Sequence, residues 1–239
     1  VAAAVPMMRV ADADFNVQQI KEQITEAVEE GVEVICFPEL STVGYTCGDL
    51  FFTRRLQQNS LSALEEICAF TRGKSIIVLV GAPLKVDNNL YNCAFVMTDG
   101  DVIGVVPKVN LPNTGEFYEK RWFASAAGVT AQDIYLAGSL AHVSPEPTLF
   151  ETCDGVRFGI EICEDVWAPL PPSNALALAG ADIVFNLSAS NELIAEHRRS
   201  YRMFEYVTDP QHLPKNQRQS MTWDPQDMLK EAANLHPDI

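Results

Sequence analysis

Basic side chains are scarce in this sequence. Its 239 residues include 17 lysines and arginines against 32 aspartates and glutamates, which gives a formal net charge of -15 at pH 7. A surface of this sign repels the phosphates of nucleic acids and the headgroups of anionic lipids. The composition therefore argues against nucleic-acid binding and against attachment to a membrane surface.

Long apolar runs are missing as well. No run approaches the ~20 apolar residues that cross a bilayer. The opening stretch, residues 1–5, is too short for the core of a signal peptide and has no basic flank. The six cysteines form no CxxC pair, and five of them lie among apolar or strand-like neighbours, as reduced thiols do. We therefore expect a cytoplasmic protein with no membrane partner.

Motifs for metals and nucleotides are not found either. The four histidines, at positions 142, 197, 212 and 236, are scattered, and no two of them share helical spacing. No GxxxxGKS/T loop occurs, the motif that cradles phosphates in P-loop proteins. We therefore expect no metal site and no P-loop chemistry in this chain.

Short apolar runs alternate with segments of helical period through most of the chain. Strands are predicted at residues 1–5, 32–37, 75–80, 90–98, 102–106, 156–162 and 183–187, and helices at residues 16–30, 56–71 and 173–179. Asp12 or Asp14 is expected to cap the first helix, which ends at Gly31. Ser173 is expected to cap the third helix, and the Asp-Gly pair at 99–100 suits a hairpin turn. This rhythm is typical of a layered α/β or α+β domain.

Three polar residues follow predicted strands. Glu39 and Lys108 each come two residues after a strand, and Cys163 comes directly after one. Reacting groups in open sheets gather just beyond the carboxyl ends of strands. The sequence therefore predicts that a carboxylate, an ammonium and a thiol meet at one site.

This combination suits nucleophilic chemistry. An ordinary thiol, with a pKa of ~8.5, is mostly protonated at neutral pH and needs a base or a nearby cation. Glu39 could accept the proton of Cys163, while Lys108 could stabilise the thiolate and an oxyanion on a substrate carbonyl. Like charge raises the pKa of a thiol, so acidic neighbours make the cation necessary. The acidic neighbours of Cys163 are Glu161, Glu164 and Asp165.

Five motifs carry a resemblance to a known family. PheProGluLeu at 37–40, ProLysValAsnLeuPro at 107–112 and GlyIleGluIleCysGluAspValTrp at 159–167 resemble the three signatures of the nitrilase (carbon–nitrogen hydrolase) superfamily. GlyTyrThrCysGlyAspLeuPhe at 44–51 and GluPheTyrGluLysArgTrpPhe at 116–123 are similar to motifs of the glutaminase domain of glutamine-dependent NAD synthetases. The motifs occur in the order that this family has.

The resemblance implies an α+β fold, the four-layer αββα sandwich of the superfamily. It covers residues 1–196, which we predict to form a nitrilase-like glutaminase domain. The segment 197–239 breaks into polar and proline-containing pieces, and the sandwich elements that family members carry there are not recognisable. It is either a peripheral tail or a join of segments that were separated in a parent chain, which leaves the completeness of the C-terminal end of the fold open.

The resemblance also implies a role for each residue of the site. Glu39 would be the general base, Lys108 would stabilise the tetrahedral intermediate and Cys163 would be the nucleophile. Glu119 would hold the lysine and position substrate or water. The residues implied for substrate binding are Glu164 and Ser190, which would grip the amino-acid end of glutamine, and Tyr45 and Phe123, which would shape the pocket.

The implied reaction releases ammonia from glutamine, or from another small amide, through a Cys163 thioester. No cofactor is expected for amide hydrolysis. ATP would be used only by the ammonia-accepting synthetase domain of a parent enzyme, and the SerGlyGly pyrophosphate loop of that domain does not occur here. The family also implies a homo-oligomer.

Other functions are compatible with parts of this pattern. A stand-alone amidase, nitrilase or carbamoylase would use the same three residues, and only the motifs around residues 44–51 and 116–123 favour the glutaminase. A Cys-His-Glu amidotransferase is disfavoured because Cys163 lies between Ile and Glu rather than in a glycine-flanked turn. An inactive, truncated module used for assembly is the non-enzymatic alternative.

Overall fold

The computed structural model describes residues 1–190, and the predicted boundary at 196/197 lies outside them. The helices are α1 (Ala13–Glu29), α2 (Arg54–Thr71) and α3 (Pro172–Leu178). The strands are β1 (Ala2–Ala3), β2 (Val34–Cys36), β3 (Ile77–Val86), β4 (Asn89–Thr98), β5 (Asp101–Pro107), β6 (Gln132–Leu136), β7 (Ser139–Val143), β8 (Leu149–Glu151), β9 (Arg157–Ile162) and β10 (Ile183–Leu187). Short 3₁₀ turns span Tyr45–Phe52, Glu119–Arg121, Ala126–Gly128 and Cys163–Trp167.

The strands form two sheets. The larger sheet has the order β1-β2-β3-β4-β5-β7-β6 and the smaller sheet has the order β10-β9-β8. Strand β2 is parallel to β3, which is followed by the antiparallel β4 and β5. Strands β2 and β5 therefore run in the same direction, and their carboxyl ends lie at the same edge of the sheet. The β4–β5 hairpin turns at Asp99-Gly100, as predicted, with both residues at positive φ.

The sheets and helices are stacked in layers, with buried apolar side chains between them. Helices α1 and α2 cover one face of the larger sheet, where Ile20 and Ile67 are fully buried. The smaller sheet packs on the other face, where Val96 shares a core with Phe158. Helix α3 lies on the outer face of the smaller sheet. The order is helix, sheet, sheet, helix, so the predicted four-layer αββα sandwich is confirmed.

A glycine lets α3 approach its sheet closely. Gly159 in β9 faces α3, and a Cβ at this position would lie 2.5 Å from the side chain of Leu176. That helix begins at Pro172 and not at a Ser173 cap, so this prediction is wrong. Proline has its φ preset for the first turn of a helix, and the backbone N–H of Ser173 instead donates to the Glu161 carboxylate at 3.1 Å.

The first helix has a predicted cap and ends before Gly31 as predicted, but it begins at Ala13, three residues before the predicted start at residue 16. The Asp12 side chain accepts a hydrogen bond from the backbone N–H of Phe15, and Gly31 follows the helix with a φ of 72°.

Strands β6, β7 and β8 were not predicted. Tyr135 in β6 and Leu140 in β7 are large hydrophobic side chains that are exposed. The sequence of β6 and β7 therefore lacks the alternation of buried apolar and exposed polar residues by which a strand is recognised. None of the helices within residues 1–190 has the length and apolar character needed to cross a membrane.

Candidate active site

Glu39 lies just beyond the carboxyl end of β2. The chain continues the sheet for one more residue, because Phe37 N–H donates to the Leu79 carbonyl at 2.8 Å, and then folds over β3. Leu40 has a φ of 53°, in the left-handed region, which turns the backbone sharply after the glutamate. Gly81 of β3 makes room for this turn, since a Cβ there would lie 2.3 Å from the Leu40 nitrogen. The Glu39 carboxylate is buried as a result.

Replacing Gly81 with alanine is expected to displace Glu39 and to destabilise the protein by about 1–3 kcal/mol, because the added methyl group collides with backbone rather than with a movable side chain. Urea unfolding measures the loss of stability, and the rate of Cys163 alkylation reports the displacement of Glu39, whose charge acts on the thiol. The matched control is Gly128→Ala, where an added Cβ meets nothing within 4 Å. Equal stability and equal alkylation rates in the two variants would contradict this account of Gly81.

Lys108 is the first residue after β5. Its backbone N–H donates to the Asn92 carbonyl at 2.8 Å, which continues the pairing with β4. Its ammonium donates to Glu39 Oε2 at 3.0 Å and to Glu119 Oε1 at 2.8 Å, and the three side chains are buried. Burial disfavours the charged ammonium, but the two carboxylates outweigh burial and raise the pKa of Lys108 above its usual value. The lysine is therefore a permanent cation in this site.

Glu119 opens the 3₁₀ turn Glu119–Arg121 and is fully buried. The Tyr45 hydroxyl donates to its Oε1 at 2.7 Å. Burial raises the pKa of Glu119, against the lowering effect of the Lys108 charge. Within residues 1–190 its second oxygen, Oε2, has no hydrogen-bond partner. A substrate or water that can donate a hydrogen bond would satisfy this atom.

Glu39 is held at both of its oxygens. Asn92 Nδ2 donates to Oε2 at 2.9 Å, beside the Lys108 ammonium, and the backbone N–H of Ala189 donates to Oε1 at 3.0 Å. Asn92 lies in β4 and Ala189 follows β10. The two sheets therefore meet at this carboxylate, which fixes its position relative to Cys163.

Cys163 lies at the junction of β9 and the 3₁₀ turn Cys163–Trp167. Its φ is 47°, a left-handed conformation that is strained for a residue with a side chain. Its backbone N–H donates to Asn186 Oδ1 at 3.1 Å. The sulfur lies 3.4 Å from Ser190 Oγ, which is in turn 2.6 Å from Ser188 Oγ. The thiol thus projects from a sharp strand-to-turn junction toward two hydroxyls.

The pKa of the Cys163 thiol is raised to about 11. Burial is the main cause and the negative charge of Glu39 adds to it, while Lys108 and the two serine hydroxyls lower the pKa by less. The sequence predicts that the acidic neighbours of Cys163 raise its pKa, but the carboxylate whose charge raises it is that of Glu39. The carboxylate of one of the neighbours, Glu161, instead accepts from Asn186 on the α3 side of the sheet. The resting thiol is protonated at neutral pH, so the chemistry needs a base.

Asp165 joins the lysine segment to the cysteine turn. Its carboxylate is buried and accepts from the backbone and side-chain nitrogens of Asn110, at 2.7 and 3.0 Å. It also accepts from the backbone N–H of Ile162, at 3.1 Å. Asn110 lies two residues after Lys108, and Ile162 directly precedes Cys163. One carboxylate therefore fixes the spacing of the ammonium and the sulfur.

Asp165→Asn is expected to cost about 1.5–3 kcal/mol of stability, because an amide puts an N–H group against one of these donors. It should also slow alkylation of Cys163, since the lysine segment is no longer held. The matched control is Asp182→Asn, an exposed carboxylate that accepts a single N–H, from Arg157, at 2.8 Å. Thermal unfolding and thiol alkylation measure both effects, and an Asp165 variant no worse than the control would contradict this role.

The residues predicted for substrate binding lie in different places. Tyr45 contacts Glu119, Ser190 contacts the sulfur, and Glu164 is half-buried next to Cys163. Phe123 is buried against Phe51, with ring centroids 4.8 Å apart, and no contact joins it to the sulfur. The binding roles of all four stay predictions.

Sequence reasoning missed several groups that hold the reactive side chains. They are Asn92, Asp165, Asn186, Ser188 and the N–H of Ala189. Among these groups, only Asp165 could have been found from the sequence, because it is an acidic residue two positions after the cysteine.

Residues 1–190 contain no cluster of three or more His, Cys, Asp or Glu side chains that could hold a metal ion.

Comparison with known proteins agrees with the predicted fold and family. The family model for carbon-nitrogen hydrolases matches residues 1–213. A glutamine-dependent NAD(+) synthetase from Mycobacterium tuberculosis is 34% identical over 203 residues, which are 83% of this chain and 30% of the relative. This chain therefore spans less than a third of the length of that enzyme.

Two solved structures resemble the described fold. A glutamine-dependent NAD(+) synthetase from Cytophaga hutchinsonii has a TM-score of 0.73 at 30% identity, over 84% of this chain and 32% of that one. An amidase of the nitrilase superfamily from Nesterenkonia has a TM-score of 0.65 over 81% of this chain and 66% of that one, and its 19% identity supports the fold alone. Since the family model covers most of the sequence, the chain belongs to the carbon–nitrogen hydrolase family.

Proposed function

We propose that this chain hydrolyses the side-chain amide of glutamine, as the glutaminase domain of a glutamine-dependent NAD synthetase. The observation that supports the proposal is the buried ammonium of Lys108, which forms ion pairs with both Glu39 and Glu119. The charges of Glu39 and Lys108 also shift the pKa of the Cys163 thiol, the first upward and the second downward. The choice of glutamine is supported by the relatives, whose names state that they depend on it. The length of those relatives supports a domain of a longer enzyme.

The first step forms a covalent bond between the enzyme and the amide. As the Cys163 sulfur attacks the amide carbon, its proton passes to Glu39, and the carbonyl electron pair moves to oxygen. The proton transfer is required because the resting thiol has a pKa of about 11. We assign this proton to Oε1 of Glu39. This oxygen accepts a hydrogen bond from the backbone N–H of Ala189, and the next residue, Ser190, contacts the sulfur.

The oxyanion of the tetrahedral intermediate needs donors that are already in place. Lys108 supplies a permanent positive charge without a change of protonation. The backbone N–H of Cys163 is engaged by Asn186, so the next amide, that of Glu164, is the backbone donor we propose. Collapse of the intermediate breaks the carbon–nitrogen bond, and Glu39 returns the proton to the nitrogen as ammonia leaves.

Hydrolysis of the thioester uses the same groups in reverse. Glu39 takes a proton from water, the resulting oxygen nucleophile attacks the thioester carbon, and the carbon–sulfur bond breaks to give glutamate. The proton then returns to the thiolate of Cys163. Ammonia would pass to the synthetase domain of the longer enzyme, which alone would use ATP. No cofactor takes part in the hydrolysis as proposed.

Incubation of the full chain with glutamine is expected to release ammonia, and Cys163→Ala is expected to reduce the release by roughly a thousandfold or more. Cys153→Ala, at an exposed cysteine, is the control and should retain the activity. A glutamine-like diazo ketone should alkylate the Cys163 sulfur with loss of N2, so the peptide that contains Cys163 should gain the mass of the reagent minus that of N2. Labelling of Cys47 or Cys93 in its place would contradict the assignment, and faster hydrolysis of acetamide than of glutamine would favour a stand-alone amidase.

A further inference from the structure

A cavity of about 470 Å³ lies beside the turn that carries Glu119. One wall consists of residues 120–124, and the other consists of Lys85 and residues 88–90 at the turn between β3 and β4. Phe52 and Gln57 complete the lining, which includes none of the three reactive residues. The volume is within the range of small-molecule sites.

The charge of this cavity is opposite to that of the chain. Its lining contains three cations and no carboxylate, in a protein of net charge -15. Arg121 is neutralised by Asp49, which it contacts with two nitrogens at 2.7 Å. Lys85 and Lys120 are exposed and form no ion pair within residues 1–190. The cavity therefore presents two uncompensated ammonium groups, to which the amides of Asn88 and Asn89 add neutral donors in the same lining.

The cavity also presents aromatic surface. Phe52 lines it with 54% of its surface exposed. Trp122 lines it too, and its ring is fixed by a hydrogen bond from Nε1 to Asp49 at 2.9 Å. Flat conjugated molecules stack on such rings in offset or edge-on arrangements. Cations and aromatic faces in one concave site fit a ligand that has both an anionic group and a ring.

We propose that this cavity binds a phosphorylated aromatic molecule of about mononucleotide size. Its phosphate is bound by Lys85 and Lys120, and its ring stacks on Phe52, since the Trp122 ring already contacts the rings of Phe51 and Tyr118. The lining includes none of Glu39, Lys108 and Cys163, so the proposal goes beyond the proposed function and does not depend on it. The acidic surface repels anions in general, so only a site with locally concentrated positive charge holds one here.

Titration of the full chain with adenosine monophosphate, followed by calorimetry, tests the proposal. Saturable binding is expected, and Lys85→Ala with Lys120→Ala should weaken it by roughly tenfold or more for each lysine. Arg72→Ala with Arg157→Ala removes the same charge from exposed sites outside the cavity and should leave the affinity unchanged. Circular dichroism establishes that both double variants are folded.

Partial ligands separate the two halves of the site. Adenosine lacks the anion and inorganic phosphate lacks the ring, so each should bind more weakly than adenosine monophosphate. Phe52→Ala should weaken the nucleotide but not inorganic phosphate. The proposal is overturned if the nucleotide does not bind, if the lysine variants bind it as the parent does, or if either partial ligand binds equally well.

Discussion

Lys108→Met is expected to destabilise the protein by about 3–5 kcal/mol near neutral pH, because it leaves the carboxylates of Glu39 and Glu119 buried without their shared cation. Amide hydrolysis should fall by roughly a hundredfold to a thousandfold, which is the usual effect of removing an oxyanion donor. The methionine side chain matches the lysine stem in length, so the loss reflects charge rather than volume. Urea unfolding and ammonia release measure the two effects.

The stability loss in this variant should depend on pH in one direction. Burial already raises the pKa of Glu119, and the Lys108 charge is what lowers it again. Without that charge the folded-state pKa rises further above the unfolded value of about 4.3. A carboxyl group with a raised folded pKa stabilises the fold when protonated, and this stability is lost as the pH rises through the folded pKa. The deficit of Lys108→Met relative to the parent should therefore be larger at about pH 8 than at about pH 5.

The matched control for this prediction is Lys85→Met, which removes an exposed lysine without an ion pair in the described part of the chain. Its stability should stay within about 0.5 kcal/mol of the parent at both pH values. A Lys108 variant with the same small, pH-independent effect would show that the two carboxylates do not depend on the ammonium.

The strand ends of the site could be predicted from the sequence because the signals are local. The runs before Glu39 and Lys108 are apolar over five or more residues, and before Cys163 the apolar residues at 156, 158, 160 and 162 alternate with other residues. Buried strands produce such runs wherever both faces of a sheet are covered, as they are for the central strands of this sandwich. The opposite directions of β4 and β5 follow from the short turn between them, and the parallel pairing of β2 with β3 follows from the helical connection through α2.

The groups that hold these residues could not be predicted in the same way. Asn92 contacts Glu39 across 53 positions and Ala189 contacts it across 150. Neither residue type is unusual in a strand or a loop, so no local pattern distinguishes it. Gly81 shows the same limit, since a glycine inside a strand indicates only that some backbone lies close. Which backbone approaches depends on how the chain folds over β3 after Glu39.

Glu39→Gln is expected to have two opposite effects at the site. Turnover of glutamine should fall by roughly a hundredfold to ten-thousandfold, because the amide cannot accept the proton of the thiol or activate water. The pKa of Cys163 should nevertheless fall below its value of about 11, because the negative charge of Glu39 is one cause of the raised pKa. The variant should therefore be a poorer enzyme with a larger fraction of thiolate.

Alkylation by iodoacetamide across a range of pH separates these effects, since its rate follows the thiolate fraction. Quantifying the modified Cys163 peptide in the parent and in Glu39→Gln gives the two titration midpoints. Exposed Cys153 is an internal control, and its profile should be the same in both proteins. A midpoint for Cys163 that stays the same or rises would mean that Glu39 does not act on the sulfur through its charge. In that case the carboxylate would be too far from the sulfur to accept its proton, and the proposed first step would be wrong.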